Sequence, residues 1–393
     1  MPSPIRPDIL ALEPSGLARI FDLGRAVEGL IPLWVGESDL VTPPFIRDAA
    51  IAALEDGKTF YLNARGLPAL RQAIADFHHR TTGVAVDMAR VTVPGAAMLA
   101  VVSALQCVVN TGDTVVIVAP MWPNIFNAVK TLGAQPRLVR LEEDWSAGRW
   151  RFDLQKLFDA CDGRTRALFL ASPSNPTGWT LTGDEQRAIL DFCRARGIAI
   201  IADEVYGTLV YDGATHAPSF LQVADPDDAL FVIGGFSKPF AMTGWRMGWL
   251  LHPRSLEAAF EVTAQSNNTG APHFLQYGAL AALSPQGDTF RAQLLARCAT
   301  GRTVVDDFLR KQSRMRWLKP DGAFYGYLHI DGLTDSLALA EKLALQHRVG
   351  VSPGSSFALG DARDQSYIRI CFARDAAILA EGLARIAQGV AAA

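Results

Sequence analysis

Residues 167–206 read ALFLASPSNPTGWTLTGDEQRAILDFCRARGIAIIADEVY, and this stretch decides the fold. Ala167–Leu170 is a short apolar run that meets a turn signal at Ser172-Pro173. Gly183–Arg196 has helical periodicity, and Ile198–Ala202 is a second apolar run that stops at Asp203. Outward from here the same alternation extends from Val91 to about Val232. Strands are expected at Val91–Val93, Val115–Ala119, Leu138–Leu141 and Leu230–Ile233, with helices over Ala96–Val109 and Asn124–Leu132. Short apolar strands separated by helices predict an α/β layer around a mostly parallel sheet. The strands run into turn signals at Pro94-Gly95, Pro120, Ser172-Pro173, Asp203 and Gly234-Gly235. In open α/β sheets ligands bind at those strand ends.

The last hundred residues have a different rhythm. Gly287–Lys311 reads as one long helix, Asp321–Ile330 and Tyr367–Phe372 as strands, and Ser336–Arg348 and Asp375–Gln388 as further helices. These form an α+β unit. The first forty residues are punctuated by Pro and Gly and are too short to fold alone, so they are expected to drape over that unit. The division that follows is a large domain over 46–283 and a smaller α+β domain from both chain ends, 1–45 and 284–393. No internal repeat or low-complexity tract is evident.

The chain has 393 residues, 49% hydrophobic and 20% charged, with 37 Lys plus Arg against 40 Asp plus Glu. A net charge of −3 offers no basic stripe for nucleic acid, and the apolar content excludes wholesale disorder. The five cysteines (Cys107, Cys161, Cys193, Cys298, Cys371) are scattered, which fits neither a disulfide framework nor a zinc knuckle. The start, MPSPIRPDIL, lacks the basic and apolar regions of a secretory signal. Ala96–Val109 is interrupted by Ser103 and Gln106 and falls short of the roughly 18 apolar residues of a membrane span. The expectation is a soluble cytoplasmic protein with no membrane, nucleic-acid or metal partner.

Three short motifs point elsewhere and fail. Gly57-Lys58-Thr59 resembles the end of a P-loop, but position 52 is Ala where Gly is needed. Gly235-Phe236-Ser237 begins like a nucleophile elbow, but Pro239 stands where Gly is required. His78-His79 lies in a helical run and reads as solvated surface, without metal-ligand spacing.

Four segments each follow or continue an expected strand and so can converge on one sheet edge: Ser172-Pro173-Ser174-Asn175-Pro176-Thr177-Gly178, Asp203-Glu204-Val205-Tyr206, Phe236-Ser237-Lys238 and Gly244-Trp245-Arg246-Met247-Gly248. Their order resembles that of a class I/II aminotransferase of the aspartate aminotransferase superfamily, the fold type I enzymes that use pyridoxal 5′-phosphate (PLP). The resemblance runs from Leu33-Trp34-Val35-Gly36-Glu37-Ser38-Asp39 to Tyr367-Ile368-Arg369, nearly the whole chain.

A strand-end lysine is ordinarily just solvated, but the resemblance makes Lys238 the catalytic, Schiff-base lysine. That role needs a primary amine as nucleophile and base, which arginine cannot supply. Asp203 would face the pyridine nitrogen and keep it protonated. Asn175 and Tyr206 would donate to the ring's phenolic oxygen, and Trp122 would stack on the ring. Gly95, Ala96 and Ala97 open a helix directly after a strand, where free N–H groups and the helix dipole receive phosphate. Ser237 and Arg246 would add side-chain contacts, whereas Ala97 stands where relatives often have a polar side chain. Tyr61 matches a tyrosine that reaches the neighbouring subunit's phosphate, which implies a homodimer with shared sites.

Arg369 matches the arginine that grips the substrate α-carboxylate, with Gly36 offering a backbone N–H. No second arginine for an acidic side chain stands out; Arg19 and Arg65 have no motif behind them. Ser38 replaces the usual Pro, and Trp179 is an unusually bulky choice after Gly178. Trp34, Trp122, Trp179 and Phe324 would suit an aromatic or apolar substrate side chain. The implied reaction moves an amino group between an L-amino acid and a 2-oxo acid by a ping-pong cycle. The alternative keeps fold and cofactor but ends as a β-lyase, decarboxylase or oxidase. A PLP-binding DNA regulator is a third reading, but only about thirty residues precede the first motif.

Overall fold

The computed structural model describes residues 4–12 and 16–391. At its centre lies a seven-stranded sheet. In chain order its strands are β1 (Val91–Gly95), β2 (Thr114–Ala119), β3 (Gln135–Arg140), β4 (Thr165–Ala171), β5 (Ala199–Asp203), β6 (Leu230–Gly235) and β7 (Gly248–Leu251). Across the sheet they lie in the order β1-β7-β6-β5-β4-β2-β3. Neighbours pair in parallel except at β7, which runs antiparallel to both β1 and β6. Every residue of β1, β2, β6 and β7 is buried, as expected where a sheet is covered on both faces. The fold is therefore α/β with a mostly parallel sheet.

Local chemistry sets the element ends. The helix Gly183–Arg196 starts on a capping box, in which Thr182 and Glu185 satisfy each other's backbone N–H. It stops at Gly197, whose φ of 62° suits a residue without a side chain. The long helix runs Pro285–Leu309, two residues earlier than Gly287–Lys311, because Ser284 is its N-cap and Pro285 fits the first turn.

A second sheet has four antiparallel strands: β8 (Met315–Trp317), β9 (Tyr325–Ile330), β10 (Ser352–Pro353) and β11 (Tyr367–Cys371), in the order β8-β9-β11-β10. β9 begins at Tyr325 rather than Asp321, because the N–H groups of Asp321 and Gly322 both bond the Gly178 carbonyl in a turn. The N-terminal stretch joins this unit. Ile31-Pro32 pairs in parallel with Val349-Gly350, and Ile20, Leu33 and Trp34 share one core cluster with Leu294, Leu328 and Ile370.

Two expectations are corrected. Gly248–Leu251 is a strand, although its position directly after a Gly-rich loop hid it. His78 is not solvated. It is buried, its Nε2 accepts from Trp249 Nε1 at 2.9 Å, and burial depresses its pKa to about 3. Among the described residues no helix is long and apolar enough to cross a membrane, and no acidic, His or Cys cluster could hold a metal ion.

Candidate active site

The carboxyl ends of the large sheet's strands build one side of the site. Asp203, the last residue of β5, is in register with Ala171 on β4 and Ile233 on β6. Gly248 of β7 is paired with Gly95 on one side and Gly235 on the other, so three glycines line up across the sheet. This row makes room for the start of the helix Ala97–Val108. A Cβ on Gly248 would sit 2.6 Å from the Ala97 backbone nitrogen. The helix N-cap, Ala96, makes no side-chain capping bond, which leaves first-turn N–H groups for an anion.

Beside that row lies a cavity of about 430 Å³. Its wall includes Ala97, Trp122, Asn175, Asp203, Tyr206, Ser237, Lys238, Arg246, Gly36 and Arg369. Ten of the expected site residues thus meet in one place. Gly95 and Ala96 frame the helix start next to them. Tyr61 is the exception: it is 90% exposed and is not part of this wall.

Lys238 Nζ donates to the Gly36 carbonyl at 2.6 Å. Burial, and then the Arg369 cation, lower its pKa to about 8, so a neutral amine is accessible near neutral pH. Burial acts oppositely on Asp203 and raises its carboxyl to about 6, against the Val205 N–H and Lys238. Val205 N–H, at 3.2 Å from Oδ1, is the one hydrogen bond to that carboxylate among the described residues. A cationic ring nitrogen would complete it.

Arg369 is 4% exposed, which removes the reading of a surface strand arginine. Nη1 donates to Asn175 Oδ1 at 2.9 Å, and Nη2 donates to Ser352 Oγ at 3.0 Å and to the Trp34 carbonyl. Its buried Nε has no partner among the described residues. Arg246 is more open and holds the Thr243 carbonyl at 2.7 Å.

The other two arginines considered are already engaged: Arg19 pairs with Glu341 at 2.6 Å, and Arg65 is buried against Glu257 and Thr92. Trp179 and Phe324 do not line the cavity. Trp179 packs edge-on to Phe152 at 5.1 Å in the large core, and Phe324 is fully buried. Strand alternation sends Tyr325, not Phe324, to the site, and the Gly322-Ala323-Phe324-Tyr325 turn held that signal. Ser352 and the helix Gly16–Arg25, which lends Leu17 and Phe21 to the wall, carried no motif.

A primary amine near neutrality, a buried carboxylate, two phenolic and amide side chains and an uncapped helix start suit a group with an aldehyde, a pyridine nitrogen and a phosphate. Together with the fold they define an enzyme of amino-group chemistry. The chain belongs to the family "Aminotransferase class I and II", which it matches over residues 28–386. It is an aminotransferase, moving an amino group between an amino acid and a 2-oxo acid. It is 34% identical to the arginine–pyruvate transaminase AruH of Pseudomonas aeruginosa, covering 93% of this chain and 91% of that one. The valine–pyruvate aminotransferase of Mycobacterium tuberculosis is 33% identical, with 91% and 90% covered. A solved aminotransferase from Mycobacterium tuberculosis superposes with a TM-score of 0.91 at 30% identity over 100% of both chains.

Proposed function

We propose that this aminotransferase binds pyridoxal phosphate covalently at Lys238 and works by a ping-pong cycle, as its family's chemistry implies. The observation that carries this reading is Lys238 itself, held on Gly36 in the cavity that Asp203, Asn175, Tyr206 and Arg369 share. When bound, pyridoxal phosphate supplies an electron-withdrawing ring that acidifies the Cα–H bond of an attached amino acid. Asp203 holds a proton on the ring nitrogen. Asn175 and Tyr206 donate to the phenolic oxygen, and Trp122 covers the ring. Gly95, Ala96, Ala97, Ser237 and Arg246 receive the phosphate. Arg369 and the Gly36 N–H orient the substrate carboxylate, and Lys238 Nζ, as the neutral amine, takes the Cα proton. The test is Lys238→Ala, which should retain the cofactor noncovalently and lose turnover.

The domain division at 46–283 against 1–45 plus 284–393 belongs to the same reading, with the smaller part carrying Arg369 and closing over substrate to exclude water. So does a cytoplasmic homodimer with shared sites. Phe60 and Tyr61 are 79% and 90% exposed, next to the helix bearing Val262, itself 62% exposed; Asn63 ties the two elements by bonding Glu261 at 3.2 Å. Large apolar side chains grouped on a surface favour a second copy there, with Tyr61 reaching the partner's phosphate.

The relatives' names disagree about the substrate, so the cavity wall is the better guide. Its cations are Lys238, Arg246 and Arg369, all with roles above, and its acidic groups are Asp203 and Asp22. Trp34, Trp122 and Phe21 add aromatic surface. Among the described residues of this wall no further cation stands ready to pair with an acidic side chain, which favours neutral or basic amino acids as the donors. Comparing kcat/KM for L-aspartate, L-phenylalanine and L-arginine tests this; aspartate as the best substrate would overturn it.

A further inference from the structure

Tyr325, at the start of β9, is 1% exposed and sits on the cavity wall. Across the strand pair, Tyr325 faces Cys371 and Tyr327 faces Arg369, so Tyr325 and Arg369 are diagonal neighbours on one face of the small sheet. The guanidinium carbon of Arg369 lies 4.5 Å from the Tyr325 ring centroid, a cation–π seat. The Tyr325 hydroxyl is 2.7 Å from that of Tyr206 on the loop after β5, and the rings meet edge-on at 5.6 Å. A Cβ at position 36 would lie 2.1 Å from the Tyr325 hydroxyl, so Gly36, whose carbonyl holds Lys238, leaves it room.

Two hydroxyls share this one hydrogen bond, and one proton is left over. The groups facing Tyr325 are Arg369, Cys371, Tyr206 and Glu37. Arg369 is only a donor, the Cys371 thiol donates to the Glu37 carbonyl at 3.3 Å, and the Glu37 carboxylate accepts from Thr243 at 2.7 Å. Among the described residues, Tyr206 is therefore the acceptor within reach of Tyr325. Either hydroxyl can donate in this pair, and a buried donor left unpaired is costly; once an acceptor occupies the cavity beside Tyr206, the arrangement that pairs both protons has Tyr325 donating to Tyr206. The Tyr206 proton is then directed at an acceptor in the cavity. Burial raises both hydroxyl pKa values, which keeps both protons in place.

We infer that Tyr325 is a positioning residue with two duties: its hydroxyl aims the Tyr206 proton at the cofactor's phenolic oxygen, and its ring seats Arg369 for the substrate carboxylate. This rests on the proposed roles of Lys238 and Tyr206. The link joins the two sheets, because Tyr206 follows the large one and Tyr325 belongs to the small one. A weaker donor leaves more negative charge on the phenolic oxygen, and the proton on the neighbouring Lys238 nitrogen is then held to higher pH.

The experiment uses the full chain loaded with pyridoxal phosphate and reads the pH midpoint of the visible cofactor band. Tyr206→Phe should raise the midpoint. Tyr325→Phe should raise it by about half a pH unit, roughly a threefold change in proton affinity, and should add nothing in the Tyr206→Phe background. Gly36→Ala, whose Cβ displaces the hydroxyl, should move it in the same direction. An unchanged midpoint in Tyr325→Phe, or an equal shift in both backgrounds, would overturn the hydroxyl's duty. The ring's duty is read from binding of 3-phenylpropionate, a carboxylate with no amino group. Its dissociation constant should hold in Tyr325→Phe and weaken in Tyr325→Leu; equal binding in Tyr325→Leu would overturn the seat. A wild-type enzyme whose cofactor is not trapped on Lys238 by borohydride reduction would instead refute the Lys238 reading beneath both.

Discussion

Arg369 on β11 of the small sheet donates from Nη1 to Oδ1 of Asn175, 2.9 Å away on the loop that follows β4 of the large sheet. One hydrogen bond thus ties the residue assigned to the substrate to one assigned to the cofactor. It also explains why arginine is needed there. The same guanidinium reaches Asn175 with one nitrogen and Ser352 with another, leaving Nε unpaired. A lysine has a single nitrogen and cannot span these directions. Arg369→Lys should lower kcat/KM by roughly ten- to a hundredfold, about 1.5–3 kcal/mol, mostly through KM. Steady-state kinetics beside a cofactor-binding titration check this; loss of cofactor with an unchanged KM would reverse the assignment.

Asp203 carries a cost in the cofactor-free protein. Its pKa is raised from 3.8 to about 6 by burial. Between those values the folded chain keeps a proton that the unfolded chain has released, so stability falls as pH rises through that window. Above it the penalty is complete, about 2–3 kcal/mol. Cofactor-free Asp203→Asn should therefore melt higher than wild type at pH 8, show no gain at pH 3, and turn over far more slowly once loaded. Equal melting at pH 8 would mean that the carboxylate is not desolvated.

Lys238 should attack the cofactor aldehyde only as a neutral amine. With its pKa lowered to about 8, the rate of cofactor reloading should climb with pH and level off just above 8. A rate still climbing tenfold per unit towards pH 10 would show an ordinary, solvated lysine.

The exposed Tyr61 makes the proposed shared-site dimer testable by mixing. Tyr61→Ala and Lys238→Ala should each be impaired alone. A hybrid dimer has one site lacking both residues and one site with both intact. Refolding the two variants together should restore up to about half the wild-type activity per hybrid. No recovery in isolated hybrids would place Tyr61 outside the neighbour's site.

Much of the large sheet was legible because its strands are runs of apolar residues bounded by turn chemistry, and β4, the capped helix Gly183–Arg196 and β5 fall close to where the residues put them. Strand ends indicated only where the loops would gather, and the roles proposed for their residues came from the resemblance to the aminotransferase family. What stayed hidden depends on tertiary packing. Gly248-Trp249-Leu250-Leu251 becomes a strand because β1 and β6 flank it, and nothing local announces that. His78 is buried because Trp249 meets it from another element. Phe324 and Tyr325 differ by one residue, and only the start of β9 decides which faces the cavity. The placement of the helix Gly16–Arg25 beside the site comes from its packing, with Phe21 edge-on to Trp34 at 6.1 Å.

On the proposed reading Lys238 serves an amino-group transfer in this cavity, and a single-turnover half-reaction reports on that step by itself. Cofactor-loaded enzyme is mixed with one amino acid and no acceptor, while the visible band, 2-oxo acid and ammonia are followed. The band should bleach, one equivalent of 2-oxo acid should appear per site without ammonia, and an added 2-oxo acid should restore the band; Lys238→Ala should do none of this at a comparable rate. Ammonia release, or full turnover in Lys238→Ala, would contradict it.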